Sequence, residues 1–140
     1  MIAKAEWQHD QVYTATSDNG HSLTFDVARV DGPTPMECVL MSLCGCTAVD
    51  VISILTKKRE PFTALTVSAK AEKAQESPSV FTNIELIYRV TGAVNHKSME
   101  DAVRLSKEKY CSVSAMLEKT AKITFTIEYA CSSGSSSSCW

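Results

Sequence analysis

Thiols carry most of the reactive chemistry open to this chain. Six cysteines stand at positions 38, 44, 46, 111, 131 and 139. A thiolate is a nucleophile, a metal ligand or a redox centre according to its neighbours. Cys38, Cys44 and Cys46 share one apolar stretch, and thiols two positions apart on a helix point in different directions. No C-x-x-C or H-x-x-x-H spacing occurs elsewhere, so a zinc site is disfavoured and no metal is expected. Cys111, in KYCSVSAML, falls at or just before a helix start, where the dipole lowers a thiol's pKa. The competing explanation for any of them is a small inert core residue, and it is preferred for Cys38 and Cys44. Two carboxylates lie close by in sequence. Glu37 falls three residues after Thr34 and reads as half of a capping box. Asp50, one turn after Cys46, reads as a buried carboxylate bonded to a neighbouring hydroxyl or to a partner chain. His9, His21 and His96 fall in turns or at element ends and are assigned to the surface.

The element that must position these groups is a helix opening at Pro35. Thr34 suits the cap, proline suits the first helical position, and Glu37 completes the box. From Cys38 to Leu55 only Ser42, Thr47, Asp50 and Ser53 are polar, so no amphipathic stripe can be drawn. The pattern predicts a helix buried on all sides. At about 30 Å it could span a bilayer, but its polar positions and its Ala, Ser, Cys and Gly content favour a core helix. Lys57, Lys58 and Arg59 suit its last turn and Pro61 ends it.

Before the helix, Ile2 to Trp7, Gln11 to Ser17 and His21 to Val27 read as an antiparallel meander with a tight turn at Asp18-Asn19-Gly20. Ala28 to Gly32 is a polar connection. After it, Leu65, Val67 and Ala69 alternate with polar residues, and Ile84, Leu86, Tyr88 and Val90 alternate with Asn83, Glu85 and Arg89. These two runs predict a long hairpin. Ser98 is read as the cap of an amphipathic helix with Met99, Ala102, Val103 and Ser106 on one face, ending near Tyr110. Ser112 is read as the cap of a short second helix, and Ile123, Phe125, Ile127 and Tyr129 close the chain as a strand. The class is α+β, with a single domain over 1–130 and a low-complexity, Ser-rich tail over 131–140.

The 140-residue chain is 44% hydrophobic and 21% charged, which suits a soluble domain with a real core. A net charge of -2 argues against a broad basic face, so neither nucleic acid nor an anionic membrane is an expected partner. The opening MIAKAEWQHD has no apolar run of signal-peptide type, which predicts a cytoplasmic location and reduced thiols. An all-round apolar helix needs more cover than one meander and one hairpin supply. A homodimer is therefore expected.

GPTPME followed by an apolar helix containing GCTAVDV, with KYCSVSAML after an amphipathic helix, resembles the OsmC/Ohr family of osmotically inducible and organic hydroperoxide resistance proteins, on its OsmC-like branch. The resemblance runs from Trp7 to Tyr129. It implies antiparallel sheets wrapped around a long buried central helix in an intertwined homodimer. It also implies a peroxidase that uses cysteine in place of haem or metal, has no bound cofactor and takes an external dithiol as reductant. In that pattern Cys46 reacts with a small hydroperoxide and Cys111 resolves it to a disulfide, while a glutamate and an arginine, here Glu37 and Arg29, hold the thiolate and orient the peroxide. Relatives often place the glutamate directly after the proline, whereas here Met36 intervenes. A non-catalytic redox-sensing or ligand-binding protein is the alternative, and an acyl-thioesterase using Asp50 ranks below it.

Overall fold

A computed structural model describes residues 1–131 of the chain. The reading of 131–140 as a low-complexity tail lies, beyond Cys131, outside the described residues. Chain contacts divide the protein into two compact units, Met1–Met41 and the remainder from Ser42 onward. The first holds an antiparallel three-stranded sheet of β1 (Ala3–His9), β2 (Val12–Ser17) and β3 (Ser22–Asp26), in the order β1-β2-β3. These strands carry the predicted meander within a residue or two at each end. Ile2, Trp7, Leu23 and Val30 are all exposed.

The helix α1 (Pro35–Lys57) begins where the sequence places it. Both bonds of the capping box form: the Thr34 amide donates to Glu37 Oε1 at 2.9 Å, and the Glu37 amide donates to the Thr34 hydroxyl at 3.1 Å. Gly32 is required just upstream, because a Cβ there would collide with the backbone oxygen of Thr24. At the far end Arg59 takes a left-handed φ of 57°, and the Glu60 amide donates to the Leu55 carbonyl at 3.0 Å, which closes the helix.

The second unit is built on a sheet of β4 (Phe62–Lys73), β5 (Phe81–Gly92) and β6 (Lys122–Ala130), in the order β4-β5-β6. β4 and β5 form the predicted hairpin, with Val67 opposite Tyr88. β6 pairs parallel to β5, which departs from the expectation of antiparallel sheets. The reason lies in the connection: two helices intervene between these strands, and a crossover of that length delivers the chain back to the same edge direction. Between them run α2 (His96–Leu105), a π turn (Ser106–Tyr110) and α3 (Ser112–Leu117). The core is the inward face of β5, where Ile84, Leu86, Tyr88 and Val90 are buried, together with Met99, Ala102 and Val103 of α2.

Three readings are corrected. The cap of α2 is Asn95, whose side chain accepts from the Ser98 amide at 3.0 Å, so Ser98 is the receiver and not the cap. The cap of α3 is Cys111 and not Ser112. In addition, α1 is not buried on all sides within one chain. It buries a single stripe, Leu43, Thr47, Val51 and Leu55, while Met41 and Val49 are exposed by 58% and 69%. The cover within one chain comes from the second unit's sheet side only, so the apolar residues on the other faces of α1 stay partly or fully exposed. By length and hydropathy α1 is long and apolar enough to cross a membrane.

Candidate active site

In the first unit, Arg29 and Glu37 meet. Arg29 Nη2 lies 2.9 Å from Glu37 Oε2, while the other carboxylate oxygen serves the capping box. The capping bond and the ion pair with Arg29 therefore coexist, one on each oxygen. The Thr34 amide, and then the Arg29 charge, hold its carboxyl below the usual range. Arg29 itself sits at φ 63°, a left-handed conformation uncommon for a residue with a Cβ. Asp26 holds it there. Its buried carboxylate accepts from the amides of Ala28 (2.9 Å), Val30 (3.2 Å) and Asp31 (2.9 Å), and its carbonyl accepts from the Arg29 amide at 3.0 Å. These amides, led by that of Asp31, lower the carboxyl's pKa. Asp26 stands among the polar positions of β3, and no periodicity argument distinguishes it from a solvated carboxylate.

The second unit brings the two candidate thiols together. Cys111 is buried at the cap of α3, its sulfur accepting from the Ser114 amide at 3.4 Å, and Cys46 is the neighbouring thiol, near enough to act on its titration. Burial outweighs the helix-start effect expected from the sequence and, with smaller contributions from the adjacent Cys46 and Asp50, pushes the Cys111 thiol up to about 11. Cys111 is thus a thiol at neutral pH. Half-buried Cys46 is the member of the pair that solvent can reach. Cys38 and Cys44 are free as well, and burial raises both. Cys131 is disulfide-bonded, which departs from the expectation of reduced thiols.

Beside the thiols runs a chain of hydroxyls that sequence reading did not find. Ser106 Oγ donates to Asp50 Oδ2 at 2.8 Å, Thr47 Oγ1 lies 2.7 Å from Ser106 Oγ, and Tyr88 OH lies 2.7 Å from Thr47 Oγ1. A hydroxyl has one proton to give, so the directions are fixed from the carboxylate backward. Tyr88 donates to Thr47, Thr47 to Ser106, and Ser106 to Asp50. The expectation that Asp50 bonds a neighbouring hydroxyl is met. Ser106 opens the π turn, a distortion of helical geometry found often at functional sites. Among the described residues no group of three or more His, Cys, Asp or Glu is placed to hold a metal.

The buried acids predict a pH dependence. Cys111 is raised from 9.0 to about 11 and Tyr88 from 10.0 to about 12, each chiefly by burial. Both folded-state values lie above the unfolded ones, so each contribution is complete below the unfolded value and is lost as pH rises to the folded one. At about 1.4 kcal/mol per unit, each is worth about 3 kcal/mol. The urea midpoint should hold to about pH 9 and then fall steeply toward pH 11. A midpoint level across that range would contradict the burial of Cys111.

The OsmC-like protein family model matches residues 28–126, a span that includes Arg29, Glu37, Cys46 and Cys111. Protein YhfA of Escherichia coli (strain K12) is 41% identical over 130 residues, covering 91% of this chain and 97% of that one. A hypothetical protein of solved structure from Aquifex aeolicus VF5 superposes with a TM-score of 0.85 at 30% identity, covering 94% of this chain and 96% of that one. An organic hydroperoxide resistance protein OsmC from Legionella pneumophila superposes with a TM-score of 0.69 at 14% identity, over 91% and 95% of the two chains, and shares the fold.

Proposed function

The chain belongs to the OsmC-like family, and on that premise we propose that it is a thiol-dependent peroxidase acting on organic hydroperoxides through Cys46 and Cys111. The observation that carries the reading is the placing of a half-exposed thiol beside a buried, protonated one. The Cys46 thiolate attacks the terminal oxygen of ROOH. The O–O bond breaks, the alkoxide takes a proton and leaves as ROH, and Cys46 becomes a sulfenic acid. The Cys111 sulfur then displaces the sulfenic hydroxyl, which leaves as water with the Cys111 proton, and a Cys46–Cys111 disulfide remains. A dithiol reduces that bond and is itself oxidised to a cyclic disulfide. Asp50 is engaged by Ser106 and is needed for no step, which weighs against the thioesterase alternative.

The test is consumption of cumene hydroperoxide and of hydrogen peroxide with dihydrolipoamide as reductant. Catalytic turnover with the organic substrate is expected. Stoichiometric thiol oxidation without turnover would indicate a redox sensor instead.

Arg29 and Glu37 enter the proposal through the family's pattern, in which a guanidinium favours the thiolate and a carboxylate fixes the guanidinium's direction. Arg29→Ala should slow alkylation of Cys46 near neutral pH by about tenfold. Its ion pair is exposed and should contribute under about 1 kcal/mol to stability, so the melting temperature should hardly move. Superimposable alkylation curves against pH, measured with the other cysteines as serine, would remove Arg29 from the site.

A homodimer belongs to the same proposal. What supports it is the apolar surface that one chain leaves open: Met41 and Val49 on α1, and Ile2, Trp7, Leu23 and Val30 in the first unit.

A further inference from the structure

Ser106 is the residue through which the two thiols are held in register. Its side chain is fully buried and bonded to Thr47 and Asp50, which lie one position and one turn beyond Cys46 on α1. Its carbonyl accepts the amide of Cys111 at 2.8 Å, the bond that closes the π turn. One residue therefore ties the helix that carries the first thiol to the backbone of the second, across 59 positions of sequence from Thr47.

We propose that Ser106 is a positioning residue for disulfide closure: with Thr47 and Asp50 it holds the π turn so that the Cys111 sulfur stays within bonding reach of Cys46. The inference rests on the assignment of Cys46 and Cys111 as the reacting pair. A disulfide forms only within a narrow range of Cβ separation and torsion, so a small displacement of the turn is felt directly in the closing step. Buried hydroxyl chains suit such a task because every member has its partners and no second arrangement satisfies them all. Without the Ser106 hydroxyl, Asp50 loses a donor and Thr47 an acceptor, and the turn is freed from α1. The attack on peroxide at Cys46 uses none of these bonds and should not change.

The test separates closure from oxidation in the full chain carrying Ser106→Ala, Thr47→Val or Thr47→Ser. Cumene hydroperoxide is one oxidant. The other is diamide, an azo compound that adds the Cys46 thiolate and a proton across its N=N bond. The Cys111 sulfur then displaces the resulting hydrazine, which takes the Cys111 proton, so the disulfide forms without peroxide. Peptide mass spectrometry follows the Cys46–Cys111 bond over time. Ser106→Ala is expected to slow closure with both oxidants by about tenfold to a hundredfold. The first reaction at Cys46 should keep its rate, and sulfinic acid should accumulate there under excess peroxide. Thr47→Val, which removes the hydroxyl at constant shape, should slow closure likewise, and Thr47→Ser, which retains it, should not. If Ser106→Ala does not fold, the Thr47 pair decides. Closure by diamide at the wild-type rate in folded Ser106→Ala, or equal rates for Thr47→Val and Thr47→Ser, overturns the proposal. Hydroxyl-dependent closure by diamide with no reaction toward peroxide would uphold the positioning role and sink the peroxidase reading alone.

Discussion

Replacing Cys46 with serine should reduce peroxide turnover to the uncatalysed background, while Cys38→Ser and Cys44→Ser retain most of it. A serine hydroxyl is no nucleophile at neutral pH without a general base beside it, and the titratable neighbour of this position is the Cys111 thiol, an acid raised to about 11. Cys111→Ser should behave differently: Cys46 still reacts once, but nothing resolves the sulfenic acid, so turnover stops after one equivalent and further peroxide converts Cys46 to sulfinic acid. Cys38 and Cys44 are free thiols on the same helix, each made less acidic by burial. The measurement is dithiol oxidation driven by cumene hydroperoxide, with mass spectrometry of the Cys46 peptide. Equal losses at positions 38, 44 and 46 would mean that helix packing is being perturbed, and would take the chemistry away from Cys46.

Features set by local rules were legible before the structure. The alternation in β5 located its buried face residue by residue, and the Thr34 to Glu37 spacing located the start of α1 and both of its capping bonds. The hydroxyl chain was not legible, because its contacts join residues 41, 59 and 56 positions apart and serine or threonine in a helix is more often a surface residue. Ser106 was recognised as part of the apolar face of its helix without any sign that it bonds across to Asp50. The misplaced cap of α2 has a local cause. Ser98 and Asn95 are both good caps three residues apart, and the one that wins is the one whose own amide is bonded by Glu60, at 2.7 Å, from outside the helix. For Cys111 the sequence shows the helix start and therefore a downward pull on its pKa. The burial that reverses the sign comes from residues distant in the chain.

The surface of α1 leads to the second large effect. If the proposed homodimer forms, Val49→Asp should abolish it, with a loss of about 3 kcal/mol or more and a fall of about 10 °C or more in melting temperature. In one chain Val49 is 69% exposed, and a substitution at such a position is normally worth less than about 0.5 kcal/mol. Aspartate is also no worse than a mild helix breaker, differing from valine by a few tenths of a kcal/mol. The two outcomes therefore differ by about sixfold in energy, and the difference is the free energy of placing a carboxylate against a partner's apolar surface. Gly45 lies one turn before Val49 on the same side of the helix, and a Cβ there would meet nothing within 4 Å in the single chain. Gly45→Leu is then the companion variant: it should be tolerated by a monomer, and even favoured by helix propensity, but should wedge apart two chains packed closely along α1. Sedimentation velocity at micromolar concentration, read with thermal melts over a hundredfold range of concentration, checks both. Folded, monomeric Val49→Asp with an unchanged melting temperature would show that this face of α1 meets water in the functional protein, and the proposed dimer would have to bury some other surface.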